Sequence, residues 1–114
     1  MFDFERLEVY HKTKQFNIAT ADFLKNNKPD RVTHDQLRRA SFSIMLNIAE
    51  GSGRYTRPDK RNFYVVARGS VFECAAVFDY LRDVEGINEE SFQGFYAKLE
   101  EISKILYALI RSLE

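Results

Sequence analysis

Glu8 and His11 stand three residues apart near the start of the chain, a spacing at which a helix projects a carboxylate and an imidazole to one side. In di-iron and di-manganese helix bundles, two such Glu-x-x-His pairs and two further glutamates hold the metals. The only other histidine, His34, has Arg31 three residues before it, so the second pair is missing and no di-metal centre is expected. Structural zinc takes four ligands, more than Cys74, His11 and His34 can supply. Cys74 would be a nucleophile only beside a base. It falls instead among Val71, Val77 and Phe78 on an apolar helical face, which predicts a packed thiol. Gly51-Ser52-Gly53 has the glycines of a phosphate loop but follows a helix and lacks the Gly-Lys-Ser/Thr ending. It reads as a helix stop. No catalytic constellation and no cofactor site emerge, so the chain is not read as an enzyme.

Two other groupings could carry binding. At 100° per residue Arg39, Ser43, Asn47, Glu50 and Arg54 fall within an arc of about 80° on one helix. Short Ser and Asn beside one Arg and one Glu predict a buried, mutually satisfied network, with Ser70 and Glu73 on the next helix as partners. A solvated stripe and a ligand site are the competing readings. The second grouping is Arg54, Arg57, Lys60 and Arg61, beside Tyr55 at a turn. Basic side chains near an aromatic can hold nucleic-acid phosphate, but a solvated helix end whose arginine complements the helix dipole has the same composition.

Four helices must position these residues, with no strand-like alternation and no repeat. The first is predicted from Phe4 to Asn26, capped by Asp3 and ended before Pro29, with Val9, Phe16, Thr20, Phe23 and Leu24 inward. The second runs from His34 to Arg54, opened by a Thr33…Gln36 capping box and closed by the Gly-Ser-Gly break in a left-handed turn. The third runs from Pro58 to Glu85 with Gly86 as its stop. Its broad face carries Phe63, Val66, Ala67, Val71, Cys74, Val77, Phe78 and Leu81. Asn88 caps the fourth, which reaches Leu113 with a one-sided stripe of Phe92, Phe95, Tyr96, Leu99, Ile102, Leu106, Leu109, Ile110 and Leu113. Long helices with short connections predict an all-α, antiparallel, up-down-up-down four-helix bundle of one domain, residues 1–114.

The second helix has two apolar sides: Leu37, Ala40, Ile44 and Ile48 on one, Phe42, Met45, Leu46 and Ala49 on the other. The third repeats this, with Val65, Phe72 and Ala76 opposite its main face. A surface helix normally has one apolar face. Two imply a second thing to bury against, and in 114 residues that predicts another copy of the chain.

Bulk properties agree. Hydrophobic content of 45% and charged content of 30% suit a soluble globular protein. One cysteine fits a reducing cytoplasm. The start Met-Phe-Asp-Phe-Glu-Arg predicts no secretion signal, and no apolar run is long enough to span a membrane. Net charge is zero, yet residues 31–68 hold eight basic and three acidic side chains and residues 69–114 hold four and nine. A +5 middle beside a −5 end suits an anion-binding face, or pairing of the middle with the C-terminal helix within or between subunits.

One set of residues resembles a known family. It comprises Leu7 with Val9-Tyr10, Gln36 with Arg38-Arg39-Ala40, and Ser43-Ile44 with Asn47-Ile48-Ala49-Glu50-Gly51. It continues through Gly53-Arg54, Phe63, Ala67-Arg68-Gly69-Ser70 and Glu73. The pattern is similar to that of the four-helix-bundle proteins encoded in intervening sequences of bacterial 23S rRNA genes. The accessory variability protein of diversity-generating retroelements is a relative. The resemblance implies a closed bundle, a homopentameric ring and no enzymatic activity. It makes RNA, DNA or a reverse-transcriptase-like enzyme the candidate partners. A purely protein-binding structural module with no nucleic-acid contact stays open beside it.

Overall fold

The structure, a computed structural model, describes residues 1–114. A short 3-10 turn, Asp3–Arg6, precedes four helices: α1 Glu8–Asn27, α2 Arg31–Ser52, α3 Arg57–Val84 and α4 Glu89–Ser112. At 1.5 Å per residue α3 is about 42 Å long, which sets the 43 Å length of the molecule. Each helix packs on the next along the chain, and α1 packs on α4 to close the bundle; the backbones of the diagonal pairs stay apart, and only side chains meet across the centre. Arg39 meets Glu73 and Ser43 meets Ser70 across α2–α3. Arg57 meets Ser112 and Arg82 meets Glu89 across α3–α4. Neighbouring helices are therefore antiparallel, in up-down-up-down order.

The core follows the expected stripes. Val9, Phe16, Thr20, Phe23 and Leu24 of α1 are all buried, as are Leu37, Ala40, Ile44 and Ile48 of α2. Four phenylalanines lock three helices together: Phe78 of α3 stacks on Phe95 of α4 at 4.4 Å, and Phe16 and Phe23 of α1 meet both rings edge-on. Such pairs add about 0.5–1.5 kcal/mol each beyond area burial. The buried Asn17 donates to the carbonyls of Thr13 and Ser41 at 2.9 and 2.8 Å, which ties α1 to α2. Two side chains depart from the stripes. Val66 is exposed while Tyr64 is buried, and Tyr96 lies on the surface of α4.

The helix ends correct the sequence reading in four places. Asp3 does not cap α1: it opens the 3-10 turn, Leu7 is extended at φ −92°, ψ 120°, and α1 starts at Glu8. His11 fixes this offset by donating from Nε2 to the Glu5 carbonyl at 2.7 Å. At its other end α1 reaches Asn27, and Lys28 takes a left-handed conformation at φ 41° before Pro29. The Thr33…Gln36 capping box is not formed, because Asp30 caps α2 one turn earlier. Its carboxylate accepts the Thr33 N–H at 2.9 Å and the Thr33 hydroxyl at 3.0 Å. Finally, the Gly-Ser-Gly segment makes no left-handed turn. Gly53 has φ −92°, while Gly51 lies inside α2. A Cβ on Gly51 would come within 2.8 Å of Phe63 Cβ and 3.0 Å of the Tyr64 ring. The glycine is there to let α2 and α3 touch.

Asn88 and Gly86 match expectation, and Thr56 is a cap that the sequence reading does not name. Asn88 accepts the N–H groups of Glu90 and Ser91 at 2.8 and 3.2 Å, and Gly86, at φ 64°, follows α3. Thr56 caps α3 by accepting the Asp59 N–H at 3.2 Å, with Pro58 in the first turn.

Candidate functional site

The polar stripe of α2 lies along the α2–α3 junction, but it forms three separate pieces rather than one network. At its centre the Ser70 hydroxyl donates to Ser43 Oγ at 2.8 Å, and Asn47 donates to the carbonyl and hydroxyl of Ser43 at 2.8 and 3.1 Å. These three side chains are buried or half-buried. Toward one end Arg39 bonds Gln36 at 2.7 Å and Glu73 at 3.3 Å, with both charged side chains largely exposed. Toward the other, Glu50 pairs with Arg54, also in solvent. Arg39 and Glu50 are thus not each other's partners. Exposed pairs of this kind contribute about 0–1 kcal/mol, so the stripe's buried part is the Ser43–Ser70–Asn47 cluster.

The basic cluster sits at the end of the bundle where α2 and α4 finish and α3 begins. Helix C-termini leave carbonyls without partners and carry partial negative charge, and the cluster answers both ends. Lys60 donates to the Ser52 carbonyl at 2.7 Å, closing α2. Arg57 donates to the Ser112 carbonyl at 2.7 Å, and Arg61 lies 3.7 Å from Glu114, both closing α4. Arg54 stacks over Phe63 at 4.5 Å while pairing with Glu50. Tyr55 stands fully in solvent beside them. Carboxylates therefore neutralise Arg54 and Arg61, whereas Arg57 and Lys60 meet only carbonyls and keep their charge.

The other candidates serve structure. Cys74 is buried, and burial pushes its thiol up to about 12, so no thiolate forms near neutral pH. No group of three or more His, Cys, Asp or Glu side chains is placed to hold a metal ion. Lys12 bridges Glu8 and Glu101 at 3.4 and 3.2 Å between α1 and α4, and these carboxylates raise its pKa.

What sequence reasoning passed over is a pair of arginine–aromatic stacks at i, i+4 spacing on the outer faces of α2 and α3. Arg38 lies 4.5 Å over Phe42, and Arg68 lies 5.0 Å over Phe72 and 5.4 Å from the Tyr107 ring. The repeated Arg-x-x-x-Phe was the available signal. These stacks sit within the exposed apolar sides expected for the two helices. α2 exposes Val32, Phe42 and Leu46; α3 exposes Val65, Val66, Phe72, Tyr80 and Val84. By contrast, α1 leaves out only Ile18.

Fold and surface together define a helical bundle that presents apolar helix faces and arginine stacks. Residues 5–108 match the 23S rRNA-intervening sequence protein family, and the chain belongs to it. A solved structure from Bacteroides thetaiotaomicron, described as a protein with unknown function from the S23 ribosomal protein family, is similar throughout. Its TM-score is 0.83 at 27% identity, over 90% of this chain and 97% of that one. No curated protein matches by sequence. No helix is long and apolar enough to cross a membrane.

Proposed function

We propose that this chain is a non-enzymatic cytoplasmic scaffold that works as an assembly of copies of itself. The observation that carries the reading is where the exposed apolar side chains lie. They crowd onto α2 and α3, with Phe72 and Leu46 each 57% exposed, while α1 is almost free of them. Contiguous patches of that kind mark interaction surfaces. A homopentameric ring is what the family resemblance implies. Light scattering at micromolar concentration tests the assembly: a multiple of 13.4 kDa is expected, and the monomer mass would overturn it.

A second element of the proposal is contact with RNA, DNA or a nucleic-acid-handling partner such as a reverse-transcriptase-like enzyme, through Arg54, Arg57, Lys60 and Arg61. It is supported by the charges of Arg57 and Lys60, which no carboxylate offsets, and by the free ring of Tyr55. A ring would repeat this end of the bundle, multiplying weak single contacts wherever geometry lets them engage together. Binding that weakens as salt rises is the expected signature. Its absence would leave a purely protein-binding module.

A further inference from the structure

Two features on opposite flanks of the bundle match each other. One is a ridge on α2, where Arg38, Phe42 and Leu46 follow at one-turn spacing. The Arg38 guanidinium is stacked on Phe42 and has no carboxylate partner. The other is a groove of about 220 Å³ between α3 and α4, floored by Val71, Phe72, Ala75 and Leu99. Tyr96, Glu100 and Ser103 form its α4 wall. Glu100 is the one charged residue of this stretch and makes no ion pair in its own chain. Past Phe72 the groove continues, at about 370 Å³, beside Gly69, Tyr107 and Ile110, where its charged residues are Arg68, Arg111 and Glu114. Open space lies above Gly69, so a foreign helix can approach the α3 backbone closely there.

The heights of ridge and groove agree as well. Arg39 is level with Glu73 and Ser43 with Ser70 across one junction. Phe72 and Ala75 are level with Tyr96, Glu100 and Ser103 across the next. Reading across both, the Arg38–Leu46 stretch of α2 spans the heights of Tyr96 to Ser103 on α4, with Arg38 and Phe42 within about one turn of Glu100. α2 and α4 also run in the same direction. A second copy, rotated about an axis along the bundle, therefore brings its ridge to this groove without sliding. Rotation without rise forms a ring when its angle divides a full turn, whereas a contact with rise builds a filament. Ridge-to-ridge pairing about a two-fold axis would instead oppose arginine stacks of the same charge.

We propose that the α2 ridge of one copy seats in the α3–α4 groove of the next, with Phe42 entering the groove and Arg38 pairing with Glu100, closing the copies into a ring. The inference rests on the self-assembly reading above and names its two faces. Arg38→Cys and Glu100→Cys together, treated with a short bis-maleimide, test it. Both positions lie at the rim, and the buried Cys74 thiol does not compete. The double variant is expected to give a ladder of covalent species at multiples of 13.4 kDa, and each single variant no species beyond a dimer. Light scattering of the untreated wild-type chain separates the failures. An assembly whose double variant yields no ladder overturns these two faces and leaves self-assembly standing. A monomer overturns both.

Discussion

Gly51 and Phe63 meet where α2 and α3 converge on their turn, with 2.8 Å separating Phe63 Cβ from the place a Gly51 Cβ would occupy. The neighbour is the root of a side chain on a rigid helix, so it cannot swing aside. Gly51→Ala is expected to destabilise the fold by about 1–2 kcal/mol, overpacking outweighing the helix propensity gained. Gly94→Ala, with nothing within 4 Å, is expected to stabilise it by up to about 1 kcal/mol. Urea unfolding of the two variants checks the contrast.

Lys28 holds a left-handed conformation at φ 41°, which costs a side-chain-bearing residue about 1–2 kcal/mol. Lys28→Gly removes that strain and adds some chain entropy on unfolding. A net gain of about 0.5–1 kcal/mol is expected, read as a raised melting temperature.

The Thr33 N–H and hydroxyl hold the Asp30 carboxyl below its ordinary 3.8. A depressed carboxylate contributes stability that is present above the unfolded pKa and is lost as pH falls through the folded one. The cap at the start of α2 should therefore weaken as pH falls below about 4. Asp30→Asn keeps an oxygen for the Thr33 N–H but does not titrate, so its unfolding free energy should fall less steeply across that window. Parallel acid arms for the two proteins would show that Asp30 contributes nothing there.

Arg57→Glu with Arg61→Glu reverses two charges at the end of α4 without touching the core. The double variant is expected to lose RNA binding at about 50 mM salt, where phosphate attraction is strong, and to keep the wild-type assembly size. Filter binding and light scattering on the same samples check both halves. A wild-type protein that binds neither RNA nor DNA at that salt removes the nucleic-acid reading.

The four helices and most of the core were legible because helical periodicity is local: Phe16, Ile44, Phe78 and Leu106 each sit where the 3.6-residue repeat puts them. Asn88 and Gly86 were legible for the same reason, since each acts on its own neighbours. The start of α2 was not, because Asp30 and Thr33 are both good caps one turn apart and only the course of the chain after Pro29 decides between them. Nor was the use of Gly51, whose constraint comes from Phe63 on another helix. The basic cluster was legible as a cluster, but its carbonyl partners on Ser52 and Ser112 depend on two helix ends arriving at one place. Val66 stands exposed although the repeat places it inward, and Tyr64, which the repeat assigns to neither face, is buried where its ring packs against Gly51.

The order in which helices pack also shapes how the chain folds and opens. α1–α2, α2–α3 and α3–α4 join neighbours in sequence, so each pair can form as soon as both members exist. Such local pairing gives fast folding. Only the α1–α4 seam joins the two ends of the chain, and it is the sparsest of the helix junctions. It must close last, after α4 has been made, and it is bridged on the surface by Lys12 and Glu101. Regions with few buried contacts open first. Amide exchange in the folded chain should therefore begin along α1, while α2 and α3 remain protected.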